Sequence, residues 1–137
     1  MHLLIDGYGA DPDRLWDQSF LRYFLDEYPE RLGMTKITKP KVLRYNAPLE
    51  EDSGVTGFVV IAESHISVHT FPHRRYVNID IFSCKSFDSQ KALQDVQDLF
   101  GLQRVKSWLV DRGLEHYDPQ MSIPGLAASG AAPLSNS

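Results

Sequence analysis

The sequence predicts an α+β fold built as a two-layer sandwich, an antiparallel sheet with two helices on one face. Three observations carry this prediction. Apolar residues fall at every second position in short runs such as 65–71 and 76–84. Two longer segments instead space their apolar residues for one helical face: Leu21, Phe24, Leu25 and Tyr28 in the first, and Ala92, Leu93, Val96, Leu99 and Phe100 in the second. Proline, glycine and charged clusters separate the runs closely enough for neighbouring strands to turn back on each other, as at 72–75.

Taken in order, residues 2–8 are a short apolar run closed by Gly7 and Gly9, which predicts a buried strand. Asp11-Pro12 then opens a helix, since aspartate caps free amides and proline suits the first turn. Pro29 and Gly33 are expected to end it. Residues 41–45 form a second strand, and the acidic stretch 48–54 a mobile loop. Residues 55–63 and 65–71 are expected as neighbouring strands, followed by a turn at 72–75 and a strand over 76–84. Asp88 caps the second helix, with Phe87 placed to staple against Ala92, and Gly101 stops it. Residues 105–110 make the last strand. Residues 1–120 are expected as one domain, and 121–137, rich in Ala, Ser, Gly and Pro, as a disordered tail.

At 137 residues the chain suffices for one domain with a real core and is too short for two ordinary ones. No apolar run approaches the ~20 residues needed to cross a bilayer, so a soluble protein without membrane contact is expected. The start lacks a basic segment and reaches Asp6 too early for a signal peptide. A single cysteine without metal-type spacing suits a reducing cytoplasm. A net charge of -4 and a pI near 5.7 argue against a nucleic-acid surface, and the short basic run 73–75 does not change that.

Alternation sorts the middle strands into faces. Ile66 and Val68 oppose His65, Ser67 and His69, while Val77, Ile79 and Ile81 oppose Asn78, Asp80, Phe82 and Cys84. The apolar face is expected to carry the helices and the other face the reactive side chains. A face that includes Phe82 and a cysteine is poorly suited to water, which points to a second copy of the sheet as its cover.

The run 62–72, Ala-Glu-Ser-His-Ile-Ser-Val-His-Thr-Phe-Pro, holds more chemistry than a strand end requires. It sets the Ser64 hydroxyl after Glu63, with imidazoles at His65 and His69, and Cys84 ends the next strand. Each residue alone has an ordinary reading as a turn serine, surface histidine or small buried thiol. A serine hydrolase reading would use Ser64, a histidine and Asp80, but there is no Gly-x-Ser-x-Gly elbow. A metal site at His65 and His69 fails on distance, since strand positions four apart are separated by about 13 Å. No metal is therefore expected.

Together with Asp80-Ile81-Phe82-Ser83-Cys84, the 62–72 run resembles the signature of the bacterial and archaeal S-adenosylmethionine decarboxylases: Glu-Ser-His, then His-Thr-aromatic-Pro, then Asp-aliphatic-Phe-small-Cys. The resemblance extends from His2 to about Arg112 and implies that family's fold. It implies that the precursor cuts itself between Glu63 and Ser64, leaving a β chain of 1–63 and an α chain of 64–137 that starts with a covalent pyruvoyl group. His69 corresponds to the processing histidine. Thr56 stands where the family usually has a hydroxyl-bearing serine. In turnover, the pyruvoyl ketone would take the substrate's α-amine as a Schiff base, and Cys84 corresponds to the general acid that protonates Cα.

The resemblance further implies a small amino-acid-type substrate, S-adenosylmethionine, whose decarboxylated product feeds spermidine synthesis. Tyr45 lies near the family's adenine-stacking aromatic, and Glu63 belongs to the substrate-binding set. His73 replaces a common glutamate, with Arg74 and Arg75 after it, and Lys85 replaces a glycine after the cysteine. These departures keep L-ornithine or L-arginine open as alternative substrates. A family-shaped dimer that no longer processes is the non-enzymatic alternative, against which the intact Glu63, Ser64, His69 and Cys84 stand. A homodimer of processed protomers is expected.

Overall fold

Strand β1 (His2–Tyr8) runs through the middle of the sheet because every second residue is buried: Leu3, Ile5 and Gly7 face the core, and His2, Leu4, Asp6 and Tyr8 lie half-buried on the other side. The structure, a computed structural model, describes residues 1–112 and the backbone of 132–133. The remaining strands are β2 (Thr35–Lys36), β3 (Lys41–Tyr45), β4 (Gly54–Ala62), β5 (Ser64–Phe71), β6 (Tyr76–Ser83), β7 (Arg104–Val110) and β8 (Ala132–Pro133). Their order is β2-β4-β5-β6-β1-β7-β8, with β3 also paired to β4, and every pairing is antiparallel.

Three helices cover the apolar face where two were expected. Asp17 divides the first expected helix: its backbone caps the end of α1 (Pro12–Trp16), and its side chain accepts from Phe20 N to start α2 (Gln18–Arg31). Asp11 caps α1 as anticipated. Pro29 does not end α2 but lies in its last turn, and Leu32 and Gly33 (φ 76°) follow. The third helix, α3 (Ser89–Phe100), is capped by Asp88 and ends at Gly101 in the left-handed conformation, as its sequence predicts.

One apolar core joins the layers, from Leu3 and Ile5 through Leu21, Phe24 and Tyr28 to Ile66, Val68, Ile79 and Ile81. Tyr28 is buried yet satisfied, because its hydroxyl donates to Asp95 across the α2–α3 boundary at 2.9 Å. Short β2 was not legible as a strand and binds only the far end of β4. The acidic stretch includes a 3-10 turn, Glu50–Asp52. Strands β4 and β6 each end one residue earlier than expected, so Glu63 and Cys84 fall outside the ladders. The predicted disorder of 121–137 and the end of the 1–120 domain lie outside the described residues, apart from Ala132–Pro133, which pair with Leu109 and Trp108.

Thr70 anchors the first helix to the hairpin of β4 and β5. It is 3% exposed, and its hydroxyl accepts from Val55 N at 2.9 Å while donating toward the Leu15 and Val55 carbonyls at 2.9 and 3.2 Å. Beside it, a Cβ on Gly54 would collide with the Thr70 carbonyl, so β4 begins where only glycine fits. Thr70→Val keeps the shape but leaves a buried amide and carbonyl without their partner. Urea denaturation should show a loss of about 1–3 kcal/mol with the m value unchanged. An unaltered midpoint would mean that this hydroxyl is dispensable to the fold.

Candidate active site

Strands β4 and β5 form a tight hairpin in which Ile61 opposes Ser64 and Glu63 makes the turn. Ser64 has φ 130°, a region L-residues rarely adopt, at a cost of about 1–3 kcal/mol. This backbone breaks the strict alternation of β5 at its first residue. Ser64 Oγ lies 3.6 Å from Cys84 Sγ, just past the end of β6. The Cys84 amide donates to the Glu63 carbonyl at 3.2 Å. One short bend thus gathers a hydroxyl, a thiol and the polarised carbonyl that precedes the hydroxyl.

A second group forms at the opposite end of the same strands. Thr56 and His69 are cross-strand partners, and Thr56 Oγ1 lies 3.1 Å from His69 Nδ1. Tyr45 belongs to this end, since Leu43 pairs with Thr56 and Tyr45 with Gly54, and its ring is 56% exposed. Ser64 and His69 are five residues apart on β5, about 16 Å at ~3.3 Å per residue. The expected residues therefore assemble as two groups, Glu63-Ser64-Cys84 and Tyr45-Thr56-His69, rather than as one cluster on the outer face.

Between them the outer face is polar and aromatic. Asn78 donates from Nδ2 to Asp6 Oδ1 at 2.9 Å and to the Tyr76 hydroxyl at 2.6 Å. Burial, then the charge of Asp6, push the Tyr76 hydroxyl up to about 12. Near the Ser64 end, Phe82 touches the rings of His2 and His65 at centroid distances of 5.3 and 5.8 Å, and the Arg112 guanidinium stacks over it at 4.1 Å. Burial lowers the His2 pKa more than the neighbouring Asp80, 3.3 Å away, raises it. Among the described residues, no group of three His, Cys, Asp or Glu is placed to hold a metal.

The departures from the signature have local partners. His73 meets the edge of Trp16 at 5.9 Å and lies 3.8 Å from Glu50. Arg74 binds Asp52 at 3.1 Å and the Glu51 carbonyl at 3.2 Å. The 72–74 turn therefore clamps the acidic 50–52 turn beside Tyr45, and Arg44 stacks on Trp16 at 4.2 Å. Neither this clamp nor the Asp6-Asn78-Tyr76 network was visible in the sequence. The one available hint was complementary charge, acidic at 50–52 and basic at 73–75.

With that geometry in view, the profile of a family described as S-adenosylmethionine decarboxylase matches residues 1–113. The S-adenosylmethionine decarboxylase proenzyme of Archaeoglobus fulgidus is 31% identical over 113 residues, covering 82% of this chain and 96% of that protein. That of Clostridium botulinum is 32% identical, covering 82% and 92%. The adenosylmethionine decarboxylase crystal structure from Aquifex aeolicus superposes with a TM-score of 0.68 at 28% identity, over 82% of this chain and 89% of that one.

Proposed function

Because the chain belongs to the S-adenosylmethionine decarboxylase family, we propose that it is a pyruvoyl-dependent decarboxylase of S-adenosylmethionine, made as a precursor that cuts itself between Glu63 and Ser64. The observation that carries this reading is the hairpin tip, where the Ser64 hydroxyl, the Cys84 thiol and the amide-bound Glu63 carbonyl meet. Ser64 Oγ attacks the Glu63 carbonyl carbon, the Glu63–Ser64 C–N bond breaks, and the nitrogen takes the proton. The Cys84 amide stabilises charge on the carbonyl oxygen as it develops. A base then removes the Ser64 Cα proton and the Glu63 carboxylate leaves. Hydration and loss of ammonia convert the resulting dehydroalanine to pyruvoyl.

The residues present fit that group, since its precursor serine sits half-buried at a bend with a thiol in reach. A pyruvoyl group supplies an electrophilic carbonyl for the substrate's amine and a sink for the electrons released with CO2. Cys84 then delivers the proton to Cα. Tyr45 offers an exposed ring for the adenine, and Glu63 completes the binding set. A cytoplasmic setting suits an enzyme whose one thiol must stay reduced.

His69 is too far along β5 to serve the Ser64 of its own chain. A two-fold pairing of outer faces resolves this, because it lays one chain's Thr56-His69 end against the partner's Ser64-Cys84 end and makes two equivalent sites. The half-buried Leu4, Phe82 and Trp108 give that face an apolar component for such a contact.

Purified protein should run as two fragments, and the fragment beginning at residue 64 should be lighter by one ammonia than hydrolysis predicts. Ser64→Ala should stay whole. The cleaved enzyme should release CO2 from S-adenosylmethionine in preference to L-ornithine or L-arginine, and the opposite preference would reassign the substrate. An intact chain after long incubation would favour the non-processing alternative.

Composite sites predict complementation. His69→Ala and Ser64→Ala chains should each remain uncut alone. Co-expressed at equal levels, about half of the His69→Ala chains should be cut, because random pairing gives half of them a partner with an intact His69. No cutting in the mixture would remove the two-fold arrangement.

Cys84→Ser should still form the pyruvoyl group but turn over on the order of 10²-fold more slowly and inactivate as it works, through protonation at the wrong carbon. Normal turnover by this variant would take Cys84 out of the proton transfer.

A further inference from the structure

Where β6 ends, three successive amides find three different acceptors. Ser83 N donates to the Met1 carbonyl at 3.0 Å, Cys84 N to the Glu63 carbonyl at 3.2 Å, and Lys85 N to the hydroxyl of Ser83 at 3.1 Å. The last of these is a side-chain turn, in which a serine oxygen takes the amide two residues on and offers the backbone an alternative to the ladder. β6 stops at that serine. Ser83 is 3% exposed, on the inner side of β6 and paired across to Ser64 of β5, whereas Lys85 is exposed.

Cys84 is therefore held by both of its peptide groups. The one before it is pinned by the Glu63 carbonyl and the one after it by the Ser83 hydroxyl, so the thiol keeps only the rotation about its own Cα–Cβ bond. In that setting Cys84 Sγ lies 3.6 Å from Ser64 Oγ. We propose that Ser83 is a positioning residue: by holding the Lys85 amide, its buried hydroxyl fixes the bend that keeps the Cys84 amide on the Glu63 carbonyl and the Cys84 thiol beside Ser64. A hydroxyl bonded to neither reacting group thus serves cleavage, through the amide, and turnover, through the thiol. The proposal deepens the functional reading above and rests on it only for the tasks Cys84 performs.

The test separates the two. Cys84 is the one cysteine of the chain, so alkylation by iodoacetamide reports on it alone. In the uncleaved Ser64→Ala chain, adding Ser83→Ala leaves the Lys85 amide to water, and Cys84 should be alkylated about fivefold faster as the bend opens and the half-buried thiol reaches solvent. With Ser64 intact, Ser83→Ala should slow self-cleavage by about tenfold, and the cleaved enzyme should show a kcat about tenfold lower at unchanged KM and inactivate after fewer turnovers. The joint loss distinguishes it from Cys84→Ser, which spares cleavage. Ser83→Thr keeps the hydroxyl and should bring alkylation, cleavage and turnover back to within about twofold of the serine. Unchanged or slower alkylation in Ser83→Ala, or unchanged cleavage, would overturn the positioning role. So would losses that accompany a lowered urea midpoint and are not recovered by Ser83→Thr, which would make Ser83 a packing residue alone. Should the wild-type chain not cleave at all, the functional reading falls and the alkylation rates alone decide this one.

Discussion

An extended strand bonded on both edges cannot fold back on itself, and β5 is such a strand. It pairs with β4 from Ser64 to His69 and with β6 along its whole length. Ile66, Val68 and Thr70 fasten its inner side to the core. A hydroxyl at its first residue and an imidazole at its sixth are therefore held apart by a rigid spacer of about 16 Å. Every other feature of the proposed chemistry follows from that spacing. Cys84 comes to Ser64 from the end of β6, Thr56 comes to His69 from β4, and the arrangement we propose completes the site from two chains.

The same strand explains why the chemistry tolerates a stable fold. Alternation gives the core its apolar side and leaves the outer side free to carry groups that packing does not need. The exceptions are informative. Thr70 is a polar residue on the inner side, and it is there because three backbone groups converge on its hydroxyl. Its place in the His-Thr-Phe-Pro run is thus structural, next to a histidine to which the proposed function gives a chemical role. Ser64 is the other exception, with a backbone conformation that no packing argument would select.

Much of the fold was legible in the sequence because it depends on local rules. Caps at Asp11 and Asp88, the stop at Gly101 and the period-two strands are short-range effects, and all appear as read. The misreadings are also local, but they concern competing roles of one residue. Asp17 lies inside the one helix expected after Asp11-Pro12 and is a double cap in the structure, while Pro29 sits in the last turn of α2 rather than ending it. The candidate site residues could be named from the sequence through its resemblance to a family, yet their division into two groups could not. That division is fixed by strand register, which joins Thr56 to His69 and Asn78 to Asp6 across 13 and 72 residues. No sequence pattern states such pairings.

Register and pairing also bear on the charge a substrate would meet. Ornithine or arginine carries a second cationic end that asks for a carboxylate of its own, since an unpaired ammonium or guanidinium out of water is costly. On the described outer face and its adjoining turn, Asp6 is held by Asn78, Asp80 by His2, Glu50 by His73, and both Glu51 and Asp52 by Arg74. The Arg74 guanidinium thus offsets part of the charge of the acidic turn next to Tyr45. A sulfonium with its adenosyl group makes a different demand, which an exposed aromatic ring meets through stacking and cation–π attraction. What looked in the sequence like a shift of pocket charge is, in the folded chain, a clamp that ties up part of the acidic charge at the Tyr45 end, an arrangement that suits S-adenosylmethionine better than a diamino acid.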